Sequence, residues 1–203
     1  MSNSDTIAAI ATGPGSGGIG VVRISGVGAR QIGEDILGGL PQARMATHRT
    51  FKSAGGAAID AGLAIFFEAP NSYTGEDVLE LQGHGGPAVL RLLLRSCIDS
   101  GARLAEPGEF TQRAYLNDKL DLAQAESVAD LIGASSAAAV LSAHRSLSGD
   151  FSNRTEAIKN ELIEIRVFVE AAIDFSDEEI DFLEDHSVND RIKEISKKLE
   201  LLR

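Results

Sequence analysis

The chain has no tryptophan, two tyrosines, two methionines and a single cysteine among 203 residues. A lone thiol excludes an internal disulfide framework and any multi-cysteine metal site. Cys97 falls in the apolar run "AVLRLLLRSCI", where a buried structural thiol is expected. Long hydrophobic runs are also missing. None approaches the roughly 20 residues that cross a bilayer, and the opening "MSNSDTIAAI" has neither the basic segment nor the cleavage site of a signal peptide. A cytoplasmic protein without membrane contact is expected. Positive charge is scarce as well. Lys and Arg number 19 against 30 Asp and Glu, for a net charge of −11. The deficit is uneven, because residues 1–117 carry 11 acids and 9 bases while residues 118–203 carry 19 and 10. Nucleic-acid phosphates demand clustered Lys and Arg, so tight, direct RNA binding by this chain alone is disfavoured.

What is present is a chain with 43% hydrophobic residues, enough for one large or two small domains. Up to about residue 117, short β-rich runs at 6–12, 20–25, 48–53, 62–67 and 77–82 are separated by Gly, Pro and Asn turns. Helices are predicted over 29–37 and from Pro87, whose fixed φ suits a first helical position, to near Gly101. Strands and helices without regular βαβ alternation indicate an α+β domain with a mixed sheet. After residue 117 the period becomes helical. Ile158, Leu162, Ile165, Val169 and Ile173 form one apolar stripe, and Val188, Ile192, Ile195, Leu199 and Leu202 form another. The segment "LDLAQAESVADLIGASSAAAVLSAHRSL" is also helical, with small residues that permit close packing. The last stripe runs to Arg203 without a stop signal, as expected for the front part of a longer protein.

The stretch "ATGPGSGGIG" satisfies G-x-G-x-x-G at Gly13, Gly15 and Gly18. A dinucleotide fingerprint needs a helix after the glycines, and "IGVVRIS" reads as a strand instead. No Lys-Ser or Lys-Thr follows to make a P-loop. The stretch is read as a mobile loop between two strands. The densest acidic run, "DFSDEEIDFLED", has seven acids in twelve residues but no EF-hand order and no glycine. With Ile180, Phe182 and Leu183 as anchors of a helix junction, it reads as a solvated turn. No metal site and no catalytic set are expected.

Four residues stand out from their surroundings. Glu80 lies in a predicted strand, sharing a face with Val78 and Gln82, where an acid is depleted unless it is exposed, paired or used. It can be a sheet-edge ion pair or can accept paired N–H donors from a heterocycle. Arg23 in "VVRIS" is a cation in an apolar strand, either snorkelling at an edge or meeting a ligand. Lys119 sits at the joint between the halves and reads as a solvated lysine on its own. His84, in the predicted loop "QGHGG" before the Pro87 helix, is either a turn residue with its side chain in water or a ligand contact. No nucleophile or metal-ligand pattern accompanies it.

The segments "PNSYTGEDVLELQGHGG", "PGEFTQRAYLNDKLDLAQAESVADLI" and "EAAIDFSDEEIDF", together with "DTIAAIATGPGSGGIGVVRISG", resemble the tRNA modification GTPase family called MnmE or TrmE in order over nearly the whole chain. The resemblance implies a tetrahydrofolate-binding and dimerisation domain over 1–117, similar to the folate domains of aminomethyltransferases, and part of an all-α domain over 118–203. In the family the helical domain is interrupted by a Ras-like GTPase domain and the chain ends in a cysteine motif. Neither pattern occurs in this sequence, so GTPase activity is not expected of it, and GTP, magnesium and potassium belong to the full-length family protein. The resemblance also implies a homodimer binding 5-formyltetrahydrofolate near its interface as a one-carbon source. With the flavin-dependent partner MnmG (GidA), the family installs a carboxymethylaminomethyl or aminomethyl group on the wobble uridine of tRNA. The family's folate-contacting Arg, Glu and Lys fall on Arg23, Glu80 and Lys119, while a fourth contact at the extreme C-terminus has no counterpart. On this basis Glu80 would accept from a pterin edge, Arg23 and Lys119 would counter the anionic parts, and the glycine-rich loop would flank the site. The alternatives are a ligand-independent dimerisation scaffold and an aminomethyltransferase-like one-carbon enzyme.

Overall fold

Alternation along "VVRIS" and "VLELQ" builds the sheet: Val22 and Ile24 turn to one face with Leu79 and Leu81, and Arg23 and Glu80 turn to the other. The computed structural model describes residues 5–174 and 187–201. The chain divides into two compact units, residues 1–120 and 121–203.

The first unit holds a six-stranded sheet of β1 (Ile7–Ile10), β2 (Gly17–Ser25), β3 (Thr47–Lys52), β4 (Ala58–Phe67), β5 (Val78–Gly85) and β6 (Arg103–Leu104), in the order β3-β4-β5-β2-β1-β6. All neighbours are antiparallel except β1 and β6, which makes the sheet mixed. Its helices are α1 (Ala29–Leu37), α2 (Pro87–Asp99) and α3 (Glu109–Leu116). Ile32 and Ile36 of α1, four apart on one helical face, and Leu90, Leu93 and Cys97 of α2 pack with Val22, Ile24, Phe66, Leu79 and Leu81 into one core. A side chain as fully buried as Leu93 contributes about 1.5–3 kcal/mol through its removal from water.

Two glycine-rich stretches differ from expectation. Gly17 and Gly18 belong to β2 and β1 ends at Ile10, so the loop expected over 13–20 runs over residues 11–16 instead and takes in the last two residues of the strand expected over 6–12. "QGHGG" is likewise not a loop, because β5 continues through His84 to Gly85 and enters α2 directly, with Pro87 in its first turn. The physical reason is close approach. A Cβ on Gly85 would lie 2.6 Å from the carbonyl oxygens of Gly17 and Ile19, so glycine permits the pairing that its low strand propensity argues against. β4 starts at Ala58, four residues before the expected position, and β6 was not foreseen because two residues carry no periodicity.

In the second unit Asp121 opens α4 (Leu122–Gly133) with reciprocal bonds. Its Oδ1 accepts from the Gln124 main-chain N–H at 2.8 Å, and Gln124 Oε1 accepts from the Asp121 N–H at 3.0 Å. The predicted helical segment breaks before α5 (Ala137–Leu147), which Ser136 caps. Then follow α6 (Asp150–Asp174) and α7 (Ser187–Glu200). The apolar stripes are only partly used: Ile158, Ile165 and Ile195 are buried together, but Leu162, Ile173, Ile192 and Leu199 are exposed. The acidic run beyond Asp174, with Ile180, Phe182 and Leu183, and the stripe's last member Leu202 lie outside the described residues. Among the described residues, no helix is long and apolar enough to cross a membrane, and no group of three His, Cys, Asp or Glu could hold a metal ion.

Candidate functional site

On the sheet face turned away from α1 and α2, Arg23 of β2 stands opposite Glu80 of β5 in the strand register. Arg23 Nε donates to Glu80 Oε1 at 3.0 Å, and Nη2 approaches the same oxygen at 2.8 Å. The side chains are 28% and 16% exposed, so the pair is half-buried yet reachable from solvent. Among the described residues, Glu80 Oε2 accepts only a long bond, 3.4 Å, from Gln82 Nε2. That oxygen keeps room for a further donor.

Two aromatic rings complete the setting. The Arg23 guanidinium carbon lies 5.5 Å from the centroid of the Tyr73 ring and 5.7 Å from that of Phe110, within the range of cation–π attraction. Tyr73 comes from residues 68–77, the segment joining β4 to β5, and Phe110 comes from α3. The Tyr73 hydroxyl is 2.9 Å from Thr111 Oγ1, which ties the two walls together. Tyr73, Phe110 and Thr111 were not picked out from the sequence. Tyr73 and Phe110 lie within segments that carry the family resemblance but whose candidate site residues are all ionisable, and the scarcity of aromatics, ten in all, is the one signal that could have raised them.

Lys119 follows α3 and is placed against the same 68–77 segment. Its methylenes pass over Gly75, where a Cβ would sit 3.3 and 3.4 Å from Lys119 Cγ and Cδ, and Gly75 has φ +78°, a left-handed conformation that glycine takes freely. Next to it, Asn117 Nδ2 donates to the Thr74 carbonyl at 2.7 Å. Among the described residues Lys119 makes no ion pair and no hydrogen bond to Arg23 or Glu80. An open cavity of about 630 Å³ lies beside Gly75, lined by Val27, Glu76, Asp77, Leu116 and Asn117 among others. Its carboxylates make it a poor seat for an anion unless Lys119 reaches into it.

His84 stands apart from this group. Its ring is 75% exposed, but Nδ1 is 2.7 Å from Asp60 Oδ1 and its main-chain N–H donates to Asp60 Oδ2 at 2.7 Å. It is therefore a strand residue held by β4 and not a free turn residue. Burial pushes the Asp60 carboxyl up, but the bonds from the His84 ring and main chain and from the Ala61 N–H outweigh it and hold the group below the ordinary carboxylate range.

Residues 6–119 match the family model described as "GTP-binding protein TrmE N-terminus", and residues 122–203 match "MnmE helical domain". The curated protein named tRNA modification GTPase MnmE from Hydrogenovibrio crunogenus is 57% identical over 199 residues, 98% of this chain and 44% of that protein. Its counterpart of the same name from Chromohalobacter salexigens is 60% identical over 184 residues, 91% of this chain and 40% of its own. The chain thus spans less than half the length of these relatives. With both units matched in order, the chain belongs to the MnmE (TrmE) family of tRNA modification GTPases.

Proposed function

We propose that residues 1–117 are a tetrahydrofolate-binding and dimerisation module of a tRNA modification GTPase, with 5-formyltetrahydrofolate or a related tetrahydrofolate as ligand. The observation that carries this is the Arg23–Glu80 pair, with the Tyr73 and Phe110 rings within cation–π range of its guanidinium. The residues fit such a ligand chemically. A pterin presents adjacent N–H donors on its aminopyrimidine edge, which a carboxylate with spare acceptor capacity takes in pairs. The planar pyrimidine half of its bicycle suits aromatic walls, and Lys119 offers a cation for the glutamate tail. In the whole protein this module would act as a homodimer with the flavoprotein MnmG. The complex would install a carboxymethylaminomethyl or aminomethyl group on the wobble uridine of tRNA. Handling of GTP, magnesium and potassium would fall to parts of the relatives that this chain does not span.

Calorimetric titration with 5-formyltetrahydrofolate tests the ligand assignment on wild type and on folded Glu80→Ala and Arg23→Ala variants. Losing one charged hydrogen-bond partner costs about 1.5–3 kcal/mol, or roughly 10-fold to 150-fold in affinity. Saturable binding weakened by that much is expected. Absence of binding to folded wild type would remove the assignment.

A second reading draws on the fact that Arg23 and Glu80 already satisfy one another. In a ligand-independent dimerisation scaffold this pair would be purely structural. Sedimentation with and without folate separates the two, because a ligand that binds the dimer preferentially must shift the monomer–dimer equilibrium by mass action, whereas a scaffold dimerises equally in both.

A further inference from the structure

The two aromatic walls around Arg23 belong to elements with no secondary-structure pairing between them. Tyr73 rides on residues 68–77, which contain no helix or strand, and Phe110 rides on α3. Each wall lies three residues from one half of a buried ion pair. Glu76 follows Tyr73 in the segment, Arg113 follows Phe110 on the same face of α3, and Arg113 Nη1 donates to Glu76 Oε1 and Oε2 at 3.1 and 3.2 Å. Both charges are largely removed from solvent, Arg113 at 5% exposure and Glu76 at 13%.

Proton bookkeeping extends the pair to β2. Ser25 Oγ donates its one hydrogen to Glu76 Oε2 at 2.7 Å, so in the 2.6 Å contact between Ser25 and Thr74 the Thr74 hydroxyl is the donor. Ser25 lies two residues beyond Arg23 on the same face of β2. The chain of bonds Thr74–Ser25–Glu76–Arg113 therefore joins the strand that carries Arg23, the segment that carries Tyr73 and the helix that carries Phe110. Arg113 is held independently of Glu76, by Glu109 Oε1 at 3.0 Å and by Asp5 Oδ1 at 2.6 Å and its carbonyl at 2.9 Å.

We propose that the Glu76–Arg113 pair is the positioning device of the Arg23 site: it sets where Tyr73 and Phe110 stand relative to each other and to the guanidinium, and thereby the affinity for a heterocyclic ligand with a planar edge. Its binding half rests on the folate reading above. Its geometric half does not. Glu76→Gln is the informative variant, because it keeps size and one acceptor while removing the charge, and Arg113 retains two carboxylates to keep it paired.

Two readouts are needed. The chain has only two tyrosines, Tyr73 and Tyr115, so tyrosine-selective carbon-13 labelling gives two resolvable ring signals, with Arg23→Gln marking where Tyr73 falls when the cation is removed. In folded Glu76→Gln, the Tyr73 signal is expected to move toward that reference while Tyr115 stays in place, and affinity for 5-formyltetrahydrofolate is expected to fall at least 10-fold. Thr74→Val repeats both measurements with the Glu76 charge intact and serves if Glu76→Gln does not fold. An unmoved Tyr73 signal in a folded variant overturns the proposal, as does unchanged affinity in a wild type that binds. If wild type does not bind, the folate reading fails and the Tyr73 signal alone decides the positioning role. If neither variant folds, the cluster is a stability element and the proposal is overturned.

Discussion

Arg23 and Glu80 are 57 residues apart in sequence and directly opposed across β2 and β5, with a single carboxylate oxygen taking both of the arginine's bonds. The pair is asymmetric in what each member keeps when the other is removed. Arg23 retains two aromatic rings within cation–π range, whereas Glu80, among the described residues, retains only the 3.4 Å bond from Gln82.

Truncating the arginine should therefore cost more than truncating the acid. Arg23→Ala leaves a carboxylate that is 16% exposed without a counter-charge, and a loss of about 2–3 kcal/mol is expected. Glu80→Ala leaves a guanidinium still within cation–π range of two rings and should cost about 1 kcal/mol. The double variant should recover part of the Arg23→Ala loss, since no orphaned charge remains. Urea unfolding of the three variants checks the order. Equal losses would mean that the rings contribute nothing to holding the cation.

How much of this was legible beforehand depends on range. The alternation in "VVRIS" and "VLELQ" is local, and it announced both strands and the face of Glu80. That Arg23 and Glu80 meet requires the register between two strands, which no single segment encodes. The contact of Tyr73 with Thr111 and the bond of Arg113 to Asp5, 108 residues away, are invisible for the same reason. The glycine-rich stretches misled in the opposite sense. Glycine is read as loop from propensity, whereas at Gly85 the tertiary need for backbone to approach backbone overrides that preference.

Acid sensitivity should concentrate at Glu109. The bond from Arg103 is the main cause that holds its carboxyl down at about 2 against an ordinary value of 4.5, with burial opposing and the Glu106 N–H and Arg113 assisting. Because the folded value is the lower one, this carboxylate stabilises the fold above pH 4.5, and that stability is lost as pH falls from about 4.5 through about 2. Asp5, held low chiefly by Arg103, acts with the same sign. Arg103 is 40% exposed, so screening reduces the contribution to the order of 2 kcal/mol. Glu109→Gln should lower stability at pH 7 by that amount, and the gap to wild type should narrow progressively below pH 4.5 and close near pH 2. A gap that stays constant down to pH 3 would assign the loss to packing and not to charge.

Cys97 should be inert in the folded protein. It is fully buried between α2 and the sheet among Leu93 and its neighbours, and desolvation of the thiolate pushes the thiol up to about 12. Alkylation requires the thiolate, and both its scarcity at pH 8 and the complete burial of the side chain oppose the reaction. Native protein should therefore label with iodoacetamide only at the rate at which the first unit opens, while urea-unfolded protein labels stoichiometrically within the ordinary time for a free thiol. Since the core that covers Cys97 also carries Leu79 and Leu81 of the strand bearing Glu80, the labelling rate reports how firmly that strand is held. A 5-formyltetrahydrofolate ligand bound at Glu80 should slow labelling further in proportion to its saturation. Rapid labelling of the native chain, unaffected by urea, would mean that this side of the sheet is open and that β5 is not the rigid support the site requires.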